Sequence, residues 1–430
     1  MDRWEWIKTM PSRRRKQLIR AAKALEERGE LSHKFRFIKA FVKTEKLPYF
    51  GVRGDVYGVE FAEYVARLIQ APHDETHLLA GPWLKPLCHY LKQDWSWDNW
   101  LFYASVAPED LDRWLNRNKS ALSWFWADYS SFDSTYSSSA WLMIERLYSA
   151  IYPDAPLGFW AALDAWRQPE GRISLSKDEA VIWYLASIMN ASGRDDTALA
   201  NALVNGMCLA LAFAAALARV SVFQLKAEHL SAVADMTSIA VVGDDSLVAC
   251  SFDVTLLQDA IIGNLKAFGL VVKAESSYEL ADVTFLGMMP YQVGSDMIWG
   301  PTLGRRLYKA FWQEDPVGNL PAWTLGVAKQ LSLFRHVPLL VEMADQVISL
   351  LPGGKVTAFK ADANRIWASR SAETRAYGPE TLDWLCHRYR ARGLTPSMIR
   401  SDVATITGIS RLPAMVRLHT MEAALVCDDL

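Results

Sequence analysis

Ile239-Ala-Val-Val242-Gly243-Asp244-Asp245-Ser246-Leu247-Val-Ala249 is the stretch whose reading decides the fold. Two apolar, β-prone runs flank Gly243 to Ser246, a pattern that predicts a tight hairpin. Glycine lets the turn take a positive φ, which leaves two adjacent carboxylates at the tip between buried strands. Side-by-side carboxylates repel each other. A divalent cation shared with further acids relieves that repulsion, and Mg²⁺ favours hard oxygen ligands combined with substrate phosphates. An isolated Gly-Asp-Asp is more often a solvated turn, so a third acid must come from elsewhere in the chain.

Asp128 is the candidate. Leu122-Ser-Trp-Phe-Trp-Ala127 is a strand-like apolar run that ends on it, where a buried strand would emerge facing the hairpin tip. Downstream, Trp141, Leu142, Ile144, Leu147, Tyr148 and Ile151 recur at helical spacing, so Asp133-Ser-Thr135 reads as the start of a helix, with Asp133 or Ser134 as its N-cap. Further on, Ser192-Gly193 reads as a loop opening a long apolar helix on which Thr197 and Asn201, four residues apart, share a face. Taken alone, Thr197 and Asn201 would be local partners of the backbone. This helix is the one serious membrane candidate, but Asn201, Asn205 and Arg219 make its uninterrupted apolar stretch too short and too polar to cross about 30 Å of hydrocarbon, and it is expected to be buried.

In this order and at these separations, Asp128-Tyr-Ser-Ser-Phe-Asp133, Ser192-Gly193 with Thr197 and Asn201, and Gly243-Asp244-Asp245 resemble motifs A, B and C of viral RNA-dependent RNA polymerases. The resemblance extends to the tombusvirus-like and nodavirus-like group through Phe41-Val-Lys43-Thr-Glu-Lys46 with Ala66-Arg67, similar to the basic ribbon of motif F. Phe268-Gly-Leu-Val-Val-Lys273 is similar to motif D, and Thr284-Phe-Leu-Gly287 is loosely similar to motif E, which in many relatives carries a cysteine. The likeness covers roughly Phe41 to Pro290. It implies an α+β right-hand polymerase with an antiparallel-sheet palm and mostly helical fingers and thumb. The corresponding segments are 1–120 for the N-terminal part and fingers, 121–140 for the palm with motif A, 141–187 for a fingers insertion, 188–292 for the rest of the palm and 293–430 for the thumb.

The resemblance also implies the chemistry, which is template-directed transfer of ribonucleotides onto an RNA 3′-hydroxyl. Asp128, Asp244 and Asp245 would hold two Mg²⁺ ions, with Mn²⁺ as a substitute. Lys43, Lys46 and Arg67 would meet the triphosphate, Asp133 with Asn201 would test the ribose 2′-hydroxyl, and Ser192, Gly193 and Thr197 would lie under template and nucleotide. Lys273 would be a general acid toward departing pyrophosphate, although a lysine ending a strand is usually just solvated. Partners would be RNA template and product, ribonucleoside triphosphates, and viral or host replication proteins, in the host cytoplasm, with membrane replication sites reached through partners. Two alternatives remain at this stage. A reverse transcriptase shares the two-metal chemistry, but it usually carries an aromatic residue in the hairpin where this chain has Val242-Gly243. A non-catalytic RNA-binding replication subunit would have little reason to retain the three acids.

Composition agrees with an enzyme of this size. At 430 residues the chain exceeds the range in which one core keeps growing, so more than one substructure is expected, and 18 tryptophans point to extensive burial. A formal net charge of −2 means that any nucleic-acid path must come from local clustering. One cluster runs from Arg13-Arg-Arg-Lys16 through Arg20, Lys23, Lys34, Arg36, Lys39 and Lys43 to Lys46. A second, arginine-only group spans Arg365 to Arg417 and includes Arg375, Arg388 and Arg400. Five cysteines without a C-x-x-C pair give no zinc or disulfide framework, which fits a reducing compartment. Turn-rich punctuation is read at Pro153 to Pro156, at Pro169 to Gly171 and from Pro290 to Pro301.

Overall fold

The computed structural model describes residues 1–43, 68–105, 107–174, 181–185, 188–303, 306, 319–351, 375–389 and 395–404. Its architecture is α+β, with helix predominating and three sheets. In chain order the strands are β1 (Phe37–Val42), β2 (Leu68–Pro72), β3 (Leu101–Tyr103), β4 (Ser123–Tyr129), β5 (Glu170–Ser174) and β6 (Val181–Leu185). They continue with β7 (Thr237–Val242), β8 (Asp245–Cys250), β9 (Val272–Ser277), β10 (Met288–Val293) and β11 (Asp296–Pro301). Two compact units form. Among the described residues, the first comprises 1–43, 68–105 and 127–276, and the second comprises 107–126 and those from 277 onward.

The first unit is organised by the five-stranded sheet β3-β7-β8-β4-β9. The hairpin anticipated from the sequence is β7–β8, antiparallel from Thr237↔Cys250 to Val242↔Asp245. The expectation of an antiparallel sheet needs correction, because β3 runs parallel to β7, pairing Leu101 with Ile239 and Tyr103 with Val241. Both strands are buried almost throughout, as a parallel pair demands, and a three-residue strand carries no pattern from which its direction could be read. A second sheet, β2-β1-β5-β6, is also mixed, with β1 antiparallel to β2 and parallel to β5. It lies where mostly helical structure was expected. In it Gly171 faces Tyr184 across β5–β6, and a Cβ on Gly171 would sit 1.8 Å from the tyrosine ring. The glycine there makes room for the ring.

The helix Thr197–Ala218 crosses this unit, with Leu203, Leu209 and Phe213 buried. At 22 residues and a mean hydropathy of 1.8 it is long and apolar enough to cross a membrane, so the expectation that it is too short fails. Its most apolar window is nonetheless 78% buried within the protein, and that burial marks it as a core helix. The segment after Asp128 also differs from expectation. Phe132–Ser134 forms a separate 3-10 turn, the helix is Ser138–Ile151, and its N-cap is Ser137, whose hydroxyl accepts from Ala140 N–H at 3.2 Å. Asp133 and Ser134 are therefore not its caps.

In the second unit, helix Pro108–Asn118 lies along β11 of the β10–β11 hairpin. Asn116 both donates to Met297 O at 2.7 Å and accepts from Met297 N–H at 2.9 Å, and Asp112 accepts from Trp299 N–H at 2.8 Å. These side chains occupy strand-edge groups that would otherwise be unpaired. Pro290 sits inside β10 opposite Trp299, and the turn is confined to Gly294 and Ser295, narrower than the punctuation suggests. The described helices Leu320–Leu331, Leu340–Ser349, Pro379–Tyr389 and Pro396–Ala404 pack with the hairpin around Tyr291, Leu331, Leu340, Leu385 and Ile399. Two arginines of the C-terminal group brace this unit. Arg375 pairs with Asp296, and Arg388 donates to the carbonyls of Ala281 and Asp282 and to the Thr284 hydroxyl.

Candidate active site

The hairpin tip is the first component. Gly243 has φ 60°, and the residue after it is not among those at positive φ, the order found in type II′ hairpins. A Cβ at Gly243 would meet nothing within 4 Å, so backbone conformation rather than space calls for glycine. Asp244 and Asp245 are both half-buried.

What holds the tip is a residue on the neighbouring helix. Asn205, fully buried, directs its amide nitrogen at three successive carbonyls, those of Gly243 (3.3 Å), Asp244 (2.9 Å) and Asp245 (3.4 Å). Three acceptors around one end fix the orientation of the amide. Its oxygen accepts from the Tyr129 hydroxyl at 2.9 Å.

Tyr129 follows Asp128 at the end of β4. Ala127 and Tyr129 point inward and Asp128 outward, the period-2 alternation of a strand. Asp128 accepts from Tyr129 N–H at 2.9 Å, and the Ser246 hydroxyl donates to Ala127 O at 3.3 Å, tying β4 to β8 just beyond the two acids. Burial pushes the Tyr129 hydroxyl well above its ordinary range, and its neighbours Cys208, Asp244 and Asp128 push the same way. Carboxylates from β4 and from the hairpin turn therefore bear on one buried phenol, which stays protonated as the donor to Asn205.

The donor chemistry at the tip suits a hard cation. Among the described residues no three His, Cys, Asp or Glu side chains stand together as a ready-made metal-binding group, so Asp128, Asp244 and Asp245 do not form one by themselves. That still fits Mg²⁺, which is usually held by one or two carboxylates completed by water and substrate phosphates.

Asp133 and Asn201 meet directly. Asn201 donates to Asp133 Oδ1 at 2.8 Å, while its own oxygen accepts from the Tyr136 hydroxyl at 2.9 Å and from Asn190 Nδ2 at 2.5 Å. Asn190 N–H also donates to Asp133 O at 2.8 Å, so this pair is held from both sides.

No family model matches this chain, and a search of curated proteins finds none significantly similar to it.

The Ser192-Gly193 loop is fastened to β2. Gln70 N–H donates to the Ser192 hydroxyl at 3.1 Å, and Gly193 N–H donates to Gln70 O at 3.0 Å. A Cβ on Gly193 would lie 2.4 Å from Gln70 O, so this glycine permits a close backbone approach. The Thr197 hydroxyl donates to Ala191 O at 2.9 Å and Arg194 O at 3.3 Å, the local backbone bonding its residue type favours. Between them Arg194, fully buried, forms a two-point pair with Asp196 at 2.9 and 2.7 Å. Its guanidinium lies 4.3 Å from the Trp141 ring centre and 4.9 Å from that of Trp166, and Asp196 also accepts from the Tyr148 hydroxyl at 3.0 Å.

Of the remaining predicted residues, Lys43 directly follows β1 and Lys273 is exposed on β9. Lys46 and Arg67 lie outside the described residues. Asn205, Tyr129, Tyr136, Arg194 and Asp196 went unnoticed as site-forming residues. The available signal is Asn205 one turn beyond Asn201 in an otherwise apolar helix, a polar residue that the sequence reading uses only as evidence against a membrane span.

Proposed function

We propose that this chain is a template-directed RNA polymerase of the right-hand type. The observation carrying the reading is the Asn205 bridge. It joins Tyr129, next to Asp128, to the tip bearing Asp244 and Asp245, so acids more than a hundred residues apart come to neighbouring strands. In the reaction an RNA 3′-oxygen forms a bond to the α-phosphorus of a ribonucleoside triphosphate. The bond from that phosphorus to the bridging oxygen breaks, pyrophosphate leaves with the electron pair, and the hydroxyl proton passes to water.

Asp128 and Asp244, assisted by Asp245, would hold Mg²⁺, which when bound lowers the cost of negative charge on the attacking and leaving oxygens. The chain's own contribution is positional. Strands β4 and β8 aim the carboxylates, and Asn205 prevents the tip from shifting. Asp133 with Asn201 is a polar pair suited to recognising a ribose hydroxyl, and a site built for a hydroxyl rejects an analogue lacking it. RNA and ribonucleotides are the proposed partners, and host cytoplasm is the proposed setting.

The decisive experiment supplies purified full-length chain with homopolymeric RNA, the matching labelled NTP and Mg²⁺, with and without primer, and dNTP in parallel. Wild type should incorporate ribonucleotide in preference to deoxyribonucleotide. Asp128→Ala and Asp244→Ala should each lose about 10²-fold or more in rate while keeping the wild-type circular dichroism. Absence of incorporation by wild type, or robust extension by either folded variant, removes the reading.

A further inference from the structure

We propose that the outward face of helix Ser12–Arg28 is a binding track for the phosphate backbone of single-stranded RNA. The proposal rests on the polymerase reading only for the choice of RNA as the polyanion. Arg13, Lys16, Arg20 and Lys23 are all exposed on this helix, at spacings of three, four and three residues. At about 100° per residue those spacings place them within roughly 80° around the axis, and at about 1.5 Å per residue the stripe is roughly 15 Å long.

The other cations of this helix are committed. Arg14 pairs with Asp74 at 2.5 Å, Arg28 with Glu75 at 2.5 Å, and Arg15 donates to the carbonyls of Lys8 and Met10. No stripe residue has an ion pair among the described residues. Glu26 and Glu27, the acids of the helix, come only in its last turn. Like charges at such spacings destabilise a helix, and for Arg13, Lys16 and Arg20 no acid of the helix stands three or four residues away to offset it.

The opposite face fixes the helix in place. Leu18 and Ala22 are fully buried in a cluster with Trp6, Ile7 and Leu78. No large apolar side chain of helix Ser12–Arg28 is exposed. A membrane-surface helix needs an apolar face to insert, and here that face is already used by the fold. A row of fixed point charges without an apolar flank matches a linear polyanion instead, and phosphate contacts of this kind carry no sequence preference.

The test is anisotropy of a labelled, unstructured RNA oligomer titrated with full-length protein over a range of salt concentrations. It compares wild type with the quadruple variant Arg13→Gln, Lys16→Gln, Arg20→Gln, Lys23→Gln. Glutamine keeps helix propensity while removing charge. Each lost contact should flatten the plot of log affinity against log salt by about 0.7, so the quadruple variant should be shallower by up to about 2.8. Arg13→Lys with Arg20→Lys should keep the wild-type slope. If the quadruple variant melts early, the single variants Arg13→Gln and Lys23→Gln each carry the same expectation of about 0.7. An unchanged slope overturns the proposal. So does retained RNA affinity with lost binding to vesicles containing anionic lipid, which would assign the stripe to a membrane surface. A chain that incorporates no nucleotide yet shows the flattened slope would lose the polymerase reading and keep this one.

Discussion

Asn205 uses both ends of its side chain, as a buried amide must. Removing it leaves the buried Tyr129 hydroxyl and the turn carbonyls short of a partner. Asn205→Ala should therefore cost about 1 to 3 kcal/mol in urea unfolding. Asn205→Asp should be worse, because a carboxylate would face three carbonyl oxygens. If the amide positions the hairpin acids, both variants should also need more Mg²⁺ for half-maximal RNA synthesis than wild type. A stability loss with an unchanged Mg²⁺ requirement would leave Asn205 a purely structural residue. The spacing of Asn201 and Asn205 is visible in the chain, but what each amide touches is not, because their partners come from segments far away in sequence.

At the scale of elements, the loop before helix Thr197–Ala218 is set by three fastenings: the Ser192 and Gly193 hydrogen bonds to Gln70 of β2, the Thr197 hydroxyl, and the Arg194–Asp196 pair between two indoles. Gly193→Ala tests the first. The added methyl would meet Gln70 O at 2.4 Å and Ala71 Cα at 3.0 Å, both backbone atoms that move only with the strand. A loss of about 1 to 3 kcal/mol is expected from such overpacking, read by chemical denaturation. Stability within a few tenths of wild type would mean that the loop is not pressed against β2. The helix, the loop and the β7–β8 hairpin were all legible locally, from apolar runs broken by Ser-Gly or Gly-Asp-Asp. Strand β3 and the Ser137 cap were not, since a three-residue strand has no period and several serines compete for one cap.

For the molecule as a whole, burial of aromatic side chains is the main device. Six tryptophans, Trp6, Trp114, Trp124, Trp141, Trp166 and Trp299, are almost fully buried, distributed over both compact units. Cys88, Cys208, Cys250 and Cys386 are free, and burial pushes the Cys208 thiol up to about 12. Apolar packing, not a bound ion, should therefore hold the fold. Chelation with EDTA should leave the melting temperature within about 1 °C of the untreated protein, the shift that about 1 kcal/mol would produce in a chain of this size. The same treatment should abolish RNA synthesis, and added Mg²⁺ should restore it. A melting temperature several degrees lower in EDTA would reveal a structural metal instead.

The α+β class was implied by the motif resemblance, whereas sequence by itself determined the hairpin with its paired acids, the strand that carries Asp128 and the long helix opened by Ser192-Gly193. Each is written in neighbouring residues, through period, glycine placement and polarity. Only the tertiary structure decided that β3 runs parallel to β7, that Asp133 meets Asn201 in a direct hydrogen bond, and that Asn205 ties Tyr129 to the turn. Those are contacts between segments distant in the chain. Local pattern specifies which face of an element is apolar, and long-range packing selects what covers it.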